Sequence, residues 1–420
     1  MAIQSMGDLG AVAAGGAVGA IRLRYAFLLA LGVVVALVVL AVVASAVSNI
    51  GLPTQSTVVE RLSEVDKARL AEYLRLQAQM MGEVWPAGGG RPAWGEVRIP
   101  AIVHNEAYAF LVGYPGEPPD GWVKVPQGEH RGGAWEAVPG DDVLGEPYYR
   151  QRLPSTGETP ENFTVLVGDV WVATLATTEY AAIDFYRGFR RDLPGFLQPI
   201  FPYRLMWALL MGPTENYLGG LAHEAFHAYQ GTVAEARLAS AESLHGVGQQ
   251  YPWDLAREAW EEELQVLYDA AQAAHAEATP EPEVRALAQR WLAQRAARRE
   301  AQGLTPAQIE YERQREWLEG LAKYAEITLG PVTQAAVEAG TYRPLDALEE
   351  DDDFHGYRAR ERHWAQQLTE VKRMAGREDT RFYYMGFAEG VVLDRLMPDW
   401  KARAMDEGVW LEGLVAEAVE

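Results

Sequence analysis

The segment His223-Glu224-Ala225-Phe226-His227 sets two imidazoles four positions apart, with a carboxylate between them. On a helix, positions i and i+4 differ by about 40° around the axis, so both rings can reach one cation. Glu224 lies about 60° further round from His227, near enough to act on a water at that cation without ligating it. Zinc-assisted hydrolysis needs this set of residues: a Lewis acid to lower the pKa of water and a carboxylate to take its proton. The chain contains no cysteine, which excludes thiolate zinc sites, iron–sulfur clusters, disulfides and cysteine nucleophiles. Any cation must therefore be held by histidine, carboxylate or carbonyl oxygen.

These side chains need a helix with one packed face. Leu218, Ala222, Ala225, Phe226 and Tyr229 supply an apolar stripe away from the histidines. Gly219 and Gly220 precede His223 by one turn. Glycine within a helix costs about 1 kcal/mol relative to alanine, so the pair marks a close approach of substrate or backbone, or a helix start near Gly220. A catalytic zinc takes a third protein ligand and keeps an open position. No third histidine follows at short range, so a downstream carboxylate is expected. In "REWLEGLAKYAE", residues 315–326, the apolar stripe is Leu318, Leu321, Ala322 and Ala325, continued by Leu329. At about 100° per residue Glu319 and Glu326 fall at its edge, whereas Glu316 points into solvent. Glu261, Glu262 and Glu263 form a nearer cluster, expected to be a solvated helix face.

"WLEGLAKY" resembles the signature that carries the glutamate ligand in gluzincin metallopeptidases, the HExxH zinc peptidases that include aminopeptidase-like and bacterial membrane-linked families. The resemblance covers two short motifs and the order of elements from about residue 95 to 330. It implies one zinc ion held by His223, His227 and Glu319, with Glu224 as general base and proton shuttle and a peptide or protein as substrate. It also implies a tyrosine or histidine donor in the carboxyl-terminal part, for which Tyr383, Tyr384 and His355 are the candidates. A small sheet precedes the HExxH helix in that family, and its edge strand pairs with the extended substrate. "VWVATLATTEYAA" occupies that place in the element order. Two departures stand out. Glu319 lies far beyond His227 in the chain, which makes residues 250–302 an insertion. The position four after Glu319, an aspartate in some members, is Lys323.

The rest of the chain must deliver this site to its place of work. Residues 25–47 carry no charge and, at 1.5 Å per residue, are long enough to cross a hydrocarbon core of about 30 Å. Arg22 and Arg24 precede them, so the positive-inside rule keeps the 1–24 tail in the cytoplasm and exports the remainder. The expectation is a single-pass cell-membrane protein with an extracytoplasmic catalytic domain. Ala44-Ser45-Ala46 has the small-residue pattern of a signal-peptide cleavage site, but the apolar run is longer than such segments, which favours a retained anchor. The Gly- and Ala-rich first 21 residues are expected to be disordered. A net charge of −22 argues against nucleic-acid partners.

The expected fold class is α+β and mostly α: a transmembrane helix, a small mixed β-sheet, then a large helical region. A juxtamembrane helix and loop fill 48–95, and 96–420 would be the metallopeptidase domain, with its sheet in 96–180 and helices in 181–420. β-branched and aromatic residues mark strands in 97–115 and 162–182, around a segment rich in Pro, Gly and Asp. Thr305-Pro306-Ala307-Gln308 is a capping box that starts a helix, and Gly330-Pro331 is expected to end it. Residues 348–353, "LEEDDD", read as a solvated loop. Residues 196–213 are apolar but short, split by prolines and interrupted by Arg204, which argues against an intramembrane protease. The alternative function is a membrane-tethered helical binding or structural protein with a non-catalytic metal site. Oligomeric state is left open.

Overall fold

In a computed structural model the described residues are 8–125, 128–154, 159–160 and 164–420. The fold is mostly helical with an eight-stranded mixed sheet and an apolar amino-terminal helix, as the sequence predicts. The chain divides into two compact units, Met1–Thr54 with Ala182–Leu210, and Gln55–Ala181 with Met211–Glu420.

Helix α1 (Asp8–Ser48) begins within the segment expected to be disordered; residues 1–7 lie outside the described residues. Its stretch Leu29–Ser48 has a mean hydropathy of 2.9 and no burial against the rest of the protein. Helix α2 (Glu64–Gln79) is capped by Ser63, whose Oγ accepts from the Asp66 N–H at 3.1 Å. A short helix α3 (Met81–Val84) follows.

The strands are β1 (Ala101–His104), β2 (Tyr108–Val112), β3 (Trp122–Val125), β4 (Glu129–Arg131), β5 (Glu136–Val143), β6 (Glu146–Arg152), β7 (Thr164–Val167) and β8 (Val170–Ala176). Their order across the sheet is β4-β3-β7-β8-β1-β2-β6-β5, with β1 and β8 parallel and the other pairs antiparallel. Alternation sends Ala101, Val103 and Trp171 to the face that meets the helices, and Ile102, Val165 and Val172 to a second apolar cluster on the other face. Strands β3 to β6 come from the segment in which no strand was expected. Turn chemistry makes them possible: Leu144 and Gly145 both hold positive φ (56° and 78°) and close the β5–β6 hairpin. β8 lies inside the sheet between β7 and β1. It is therefore not the edge strand expected from its place in the element order.

Helices α4 (Thr178–Asp192) and α5 (Tyr203–Met211) precede the long α6 (Thr214–Ser243), which lies along β8. Tyr217 Oη donates to the Ala176 carbonyl at 3.2 Å, and Gly231 sits so close to Trp171 that a Cβ would come within 2.4 Å of the indole. α6 starts well before Gly220, so both early glycines are mid-helix. They allow approach of neighbours rather than marking an end: Gly219 faces Glu326 and Gly220 faces Leu175. The acidic segment 348–353 is not wholly solvated either. Asp351 is buried, accepting from Arg69 (2.8 Å) and from Thr214 Oγ1 (2.7 Å) at the start of α6.

The remaining helices are α7 (His245–Gly248), α8 (Arg257–His275), α9 (Glu281–Gln302), α10 (Pro306–Arg315), α11 (Leu321–Glu338), α12 (Arg360–Glu370), α13 (Thr380–Leu396), α14 (Trp400–Ala404) and α15 (Leu411–Val419). The capping box forms as expected: Thr305 Oγ1 accepts from Gln308 N, and the Gln308 side chain returns to Thr305 N. The expected end at Gly330-Pro331 does not occur, and α11 continues through the proline to Glu338. Buried Ile327 and Leu329 before it and Thr333 after it hold both halves in the core, and that packing outweighs the roughly 3 kcal/mol that an internal proline costs.

Between α10 and α11 the chain makes one π-helical turn, Glu316–Gly320. The extra residue in that turn breaks the 100° count and overturns the solvent-facing placement of Glu316. Its side chain is buried and pairs with Arg295 at 2.5 Å. Glu263 is likewise buried against Arg298, so only Glu261 and Glu262 form the expected solvated face. These residues belong to an internal ionic network of Arg295, Arg298, Arg299 and Arg313 with Glu263, Glu312, Glu316, Glu389 and Glu412. Four cations meet five carboxylates, one charge in excess. Burial and mutual repulsion push Glu316 and Glu389 up, which places the balancing proton on that pair. Glu312, also penalised by burial, is brought down to about 2 by Arg298, Arg299 and Arg295.

Candidate metal centre

The rotation of α6 about its axis is set by Phe226, the fourth residue of the histidine motif. Its ring is held edge-on by Trp85 (5.0 Å) and Trp94 (5.2 Å), both buried. Such aromatic pairs contribute about 0.5–1.5 kcal/mol each beyond the area they bury. With that face packed, His223 and His227 turn toward the π turn. The turn is seated by a glycine crossing: a Cβ on Gly320 would lie 2.5 Å from Gly386 Cα, and one on Gly386 would lie 2.5 Å from the Glu316 carbonyl. Only glycine at both positions lets α13 and the π turn approach this closely.

The result brings three atoms together. His223 Nε2 and His227 Nε2 are 3.2 Å apart, and Glu319 Oε2 is 3.3 Å from each. Ligands at 2.0–2.1 Å from a tetrahedral zinc are separated by roughly 3.3–3.4 Å, so the triangle already has the dimensions of three corners of such a site. All three residues are buried and together could hold a metal ion.

Each of the three candidate ligands is oriented by a partner behind it. His223 Nδ1 donates to Glu326 Oε2 (3.1 Å) and His227 Nδ1 to Gln230 Oε1 (2.9 Å), leaving both Nε2 atoms directed at the same point. The Gln230 amide donates in turn to the carbonyls of Trp317 (2.8 Å) and Leu318 (3.3 Å), within the π turn itself. Glu319 Oε1 accepts from Arg315 (2.9 Å), whose guanidinium also pairs with Asp379 (2.5 Å). One carboxylate oxygen is thus committed to Arg315 and the other to the histidines. Lys323 pairs with Glu326 at 2.7 Å.

The electrostatics favour a cation. Glu224, Glu319, Glu326 and Asp379 carry four negative charges against the two of Arg315 and Lys323, leaving −2 while the histidines are neutral. Burial alone would lower His223, but hydrogen bonds to Glu319 and Glu326 raise it to about 10, and Glu319 raises His227 in the same way. Burial would raise Glu319, yet Arg315 and the histidines hold it well below the usual carboxylate range. A field that retains protons this strongly also favours a divalent ion. Glu224 is half-buried, and its charge acts on both imidazoles.

Of the three donor candidates, Tyr383 reaches the site. Its ring stacks on His223 (5.9 Å between centroids, 10° between planes), and burial together with the nearby Glu319 charge raises its hydroxyl. Tyr384 Oη donates to Gln367 (3.0 Å), and His355 is held through its backbone N–H by Glu215 (3.0 Å). Sequence reasoning did not identify Glu326, Gln230 and Arg315 as orienting groups. Gln230 stands one turn after His227 and Arg315 one turn before Glu319, spacing that could have suggested both. No protein-family model, curated protein or solved structure matches this chain.

Proposed function

We propose that this chain is a zinc-dependent metallopeptidase of gluzincin type, anchored by residues 29–48 in the cell membrane with its catalytic domain outside the cytoplasm. The observation that carries this reading is the buried triangle of His223, His227 and Glu319, with edges of 3.2–3.3 Å and a separate orienting partner for every ligand. A zinc ion there would supply Lewis acidity and lower the pKa of water. Glu224, adjacent to His223 and close enough for its charge to act on both imidazoles, takes the proton of the attacking water and passes it to the leaving nitrogen. Tyr383, whose ring stacks on His223, donates a hydrogen bond from its hydroxyl to the developing oxyanion. Residues 250–302 are read as an insertion whose α9 braces the π turn through Arg295. The substrate is a peptide or protein.

The test is zinc content and peptide hydrolysis of the full chain in detergent, for the wild type and Glu224→Gln. Glutamine keeps the size of the side chain but cannot accept the proton. Zinc near one per chain in both proteins, with turnover reduced by about two to four orders of magnitude in the variant, is the expected result. Zinc binding with no hydrolysis by the wild type would favour a membrane-tethered protein with a non-catalytic metal.

A further inference from the structure

The segment 182–210 is oddly built for water. Inside, Phe185, Tyr186, Phe189, Phe201, Tyr203 and Trp207 pack into one aromatic cluster with Leu52. Outside, Phe196 (76% exposed), Leu205 (58%), Leu209 (69%) and Leu210 (60%) project from the same body. Leu205, Ala208 and Leu209 fall at i, i+3 and i+4 on α5, one continuous apolar face. The segment also carries four arginines against two aspartates in a chain whose net charge is −22. Arg187 and Arg191 are exposed on α4, each in a solvent-exposed pair with an aspartate of the same helix (Asp184 at 3.8 Å, Asp192 at 3.2 Å).

Its position is fixed by hydrogen bonds to the end of the apolar stretch of α1. Asn49 Nδ2 donates to the carbonyls of Pro199 (3.0 Å) and Phe201 (2.8 Å). Arg204 donates to the carbonyls of Ser48 (3.1 Å) and Gly51 (3.4 Å). If residues 29–48 span a bilayer, these contacts hold the segment at the level where hydrocarbon gives way to headgroups.

We propose that residues 182–210 form a second membrane-binding element that lies in the headgroup layer of an anionic lipid surface. The proposal rests on reading residues 29–48 as a membrane span. Apolar side chains enter the acyl boundary, arginines meet lipid phosphates, and half-buried Trp207 suits the interface. A second copy paired symmetrically through this face would bring the same arginines against each other, so lipid is the better complement.

Because the chain has no cysteine, one introduced cysteine carries a fluorophore at a unique place. The full chain is reconstituted in phosphatidylcholine–phosphatidylglycerol vesicles with an environment-sensitive dye at Leu209→Cys, Phe196→Cys, Leu37→Cys or Glu349→Cys. Quenching is read with lipids spin-labelled either near the headgroup or deep in the chain. Dyes at 209 and 196 should emit at shorter wavelength than in water and lose most of their intensity to the shallow quencher. The dye at 37 should respond to the deep quencher, and the dye at 349 to neither. The double variant Arg187→Glu/Arg191→Glu should lose much of the shallow quenching at 209.

Quenching at 37 but none at 209 and 196, with water-like emission there, would overturn the proposal and leave the anchor intact. Blue-shifted emission at 209 without quenching would overturn it in favour of protein cover. Quenching at 209 as deep as at 37 would overturn an interfacial placement. Shallow quenching at 209 with none at 37 would uphold surface binding and remove the span.

Discussion

Glu326 offers the sharpest test of the metal centre, because nothing in its spacing from the histidines marks it as part of the site. Its Oε2 accepts from His223 Nδ1 at 3.1 Å, and its other oxygen pairs with Lys323 at 2.7 Å. An ion at the ligand triangle would lie about 6 Å away across the imidazole ring. At an effective dielectric of about 20, the attraction between a carboxylate and a divalent ion at that distance is roughly 5 kcal/mol. Lys323 cancels most of it as seen from the ion, so the surviving effect is the orientation and basicity of His223. Losing such a partner typically lowers metal affinity 10- to 100-fold, about 1.4–2.7 kcal/mol. Glu326→Gln, which still accepts a hydrogen bond through its amide oxygen, should fall at the small end of this range, and Glu326→Ala at the large end. Glu319→Ala removes a ligand and should lose most bound zinc. Zinc affinity would be measured by chelator competition on the full chain in detergent at fixed pH. Affinity unchanged in both Glu326 variants would show that Nδ1 of His223 is not what orients the ring, and the account of the site given above would be wrong.

Two further outcomes follow from the same charges. The ionic network should respond unequally: Glu389→Gln replaces the member of the proton-sharing pair that is pushed up well above the usual carboxylate range and should change stability by less than about 1 kcal/mol, whereas Glu312→Gln breaks a buried pair with Arg298 and should cost about 3–5 kcal/mol in urea unfolding. Equal losses would remove the shared proton from the explanation. In zinc-free protein His223 is raised from 6.5 to about 10, so its protonation stabilises the fold fully below 6.5 and this contribution disappears as pH climbs through about 10. Zinc needs that nitrogen unprotonated, so zinc affinity should rise across the same window. Thermal melts of chelated and zinc-loaded protein should therefore diverge between those pH values, and parallel curves would contradict the proton competition.

The three residues that could hold a metal were legible in unequal degree. His223 and His227 satisfy helical spacing on a chain segment whose apolar stripe, Leu218 to Tyr229, is buried in the structure as that spacing requires. Glu319 was reachable only with the help of a motif, since the count of 100° per residue that admitted it also admitted Glu326 and sent Glu316 outward. That count fails at the π turn, which a residue list does not announce. The same limit explains the strands at 122–152. Their sequence is full of turn formers, and what makes them strands is a pair of positive-φ residues at 144 and 145 together with neighbours contributed from residues 108–112 and 164–167.

The orienting groups share a physical reason for being hidden. Gln230, Arg315 and Glu326 are polar residues on helices, and on composition alone each would be placed at a solvated surface. They are instead buried or largely so, because each meets a partner from a distant segment: Gln230 the π-turn carbonyls, Arg315 the Asp379 carboxylate, Glu326 the His223 imidazole. Burying a polar group without such a partner costs about 1–3 kcal/mol, so the fold tolerates all three only when α6, the π turn and α13 arrive together. That mutual dependence ties metal geometry to the packing of the helical core. The close crossing at Gly320 and Gly386 is where the two meet. A side chain there would have to push the π turn away from α13, shifting Glu319 relative to the histidines it now faces at 3.3 Å.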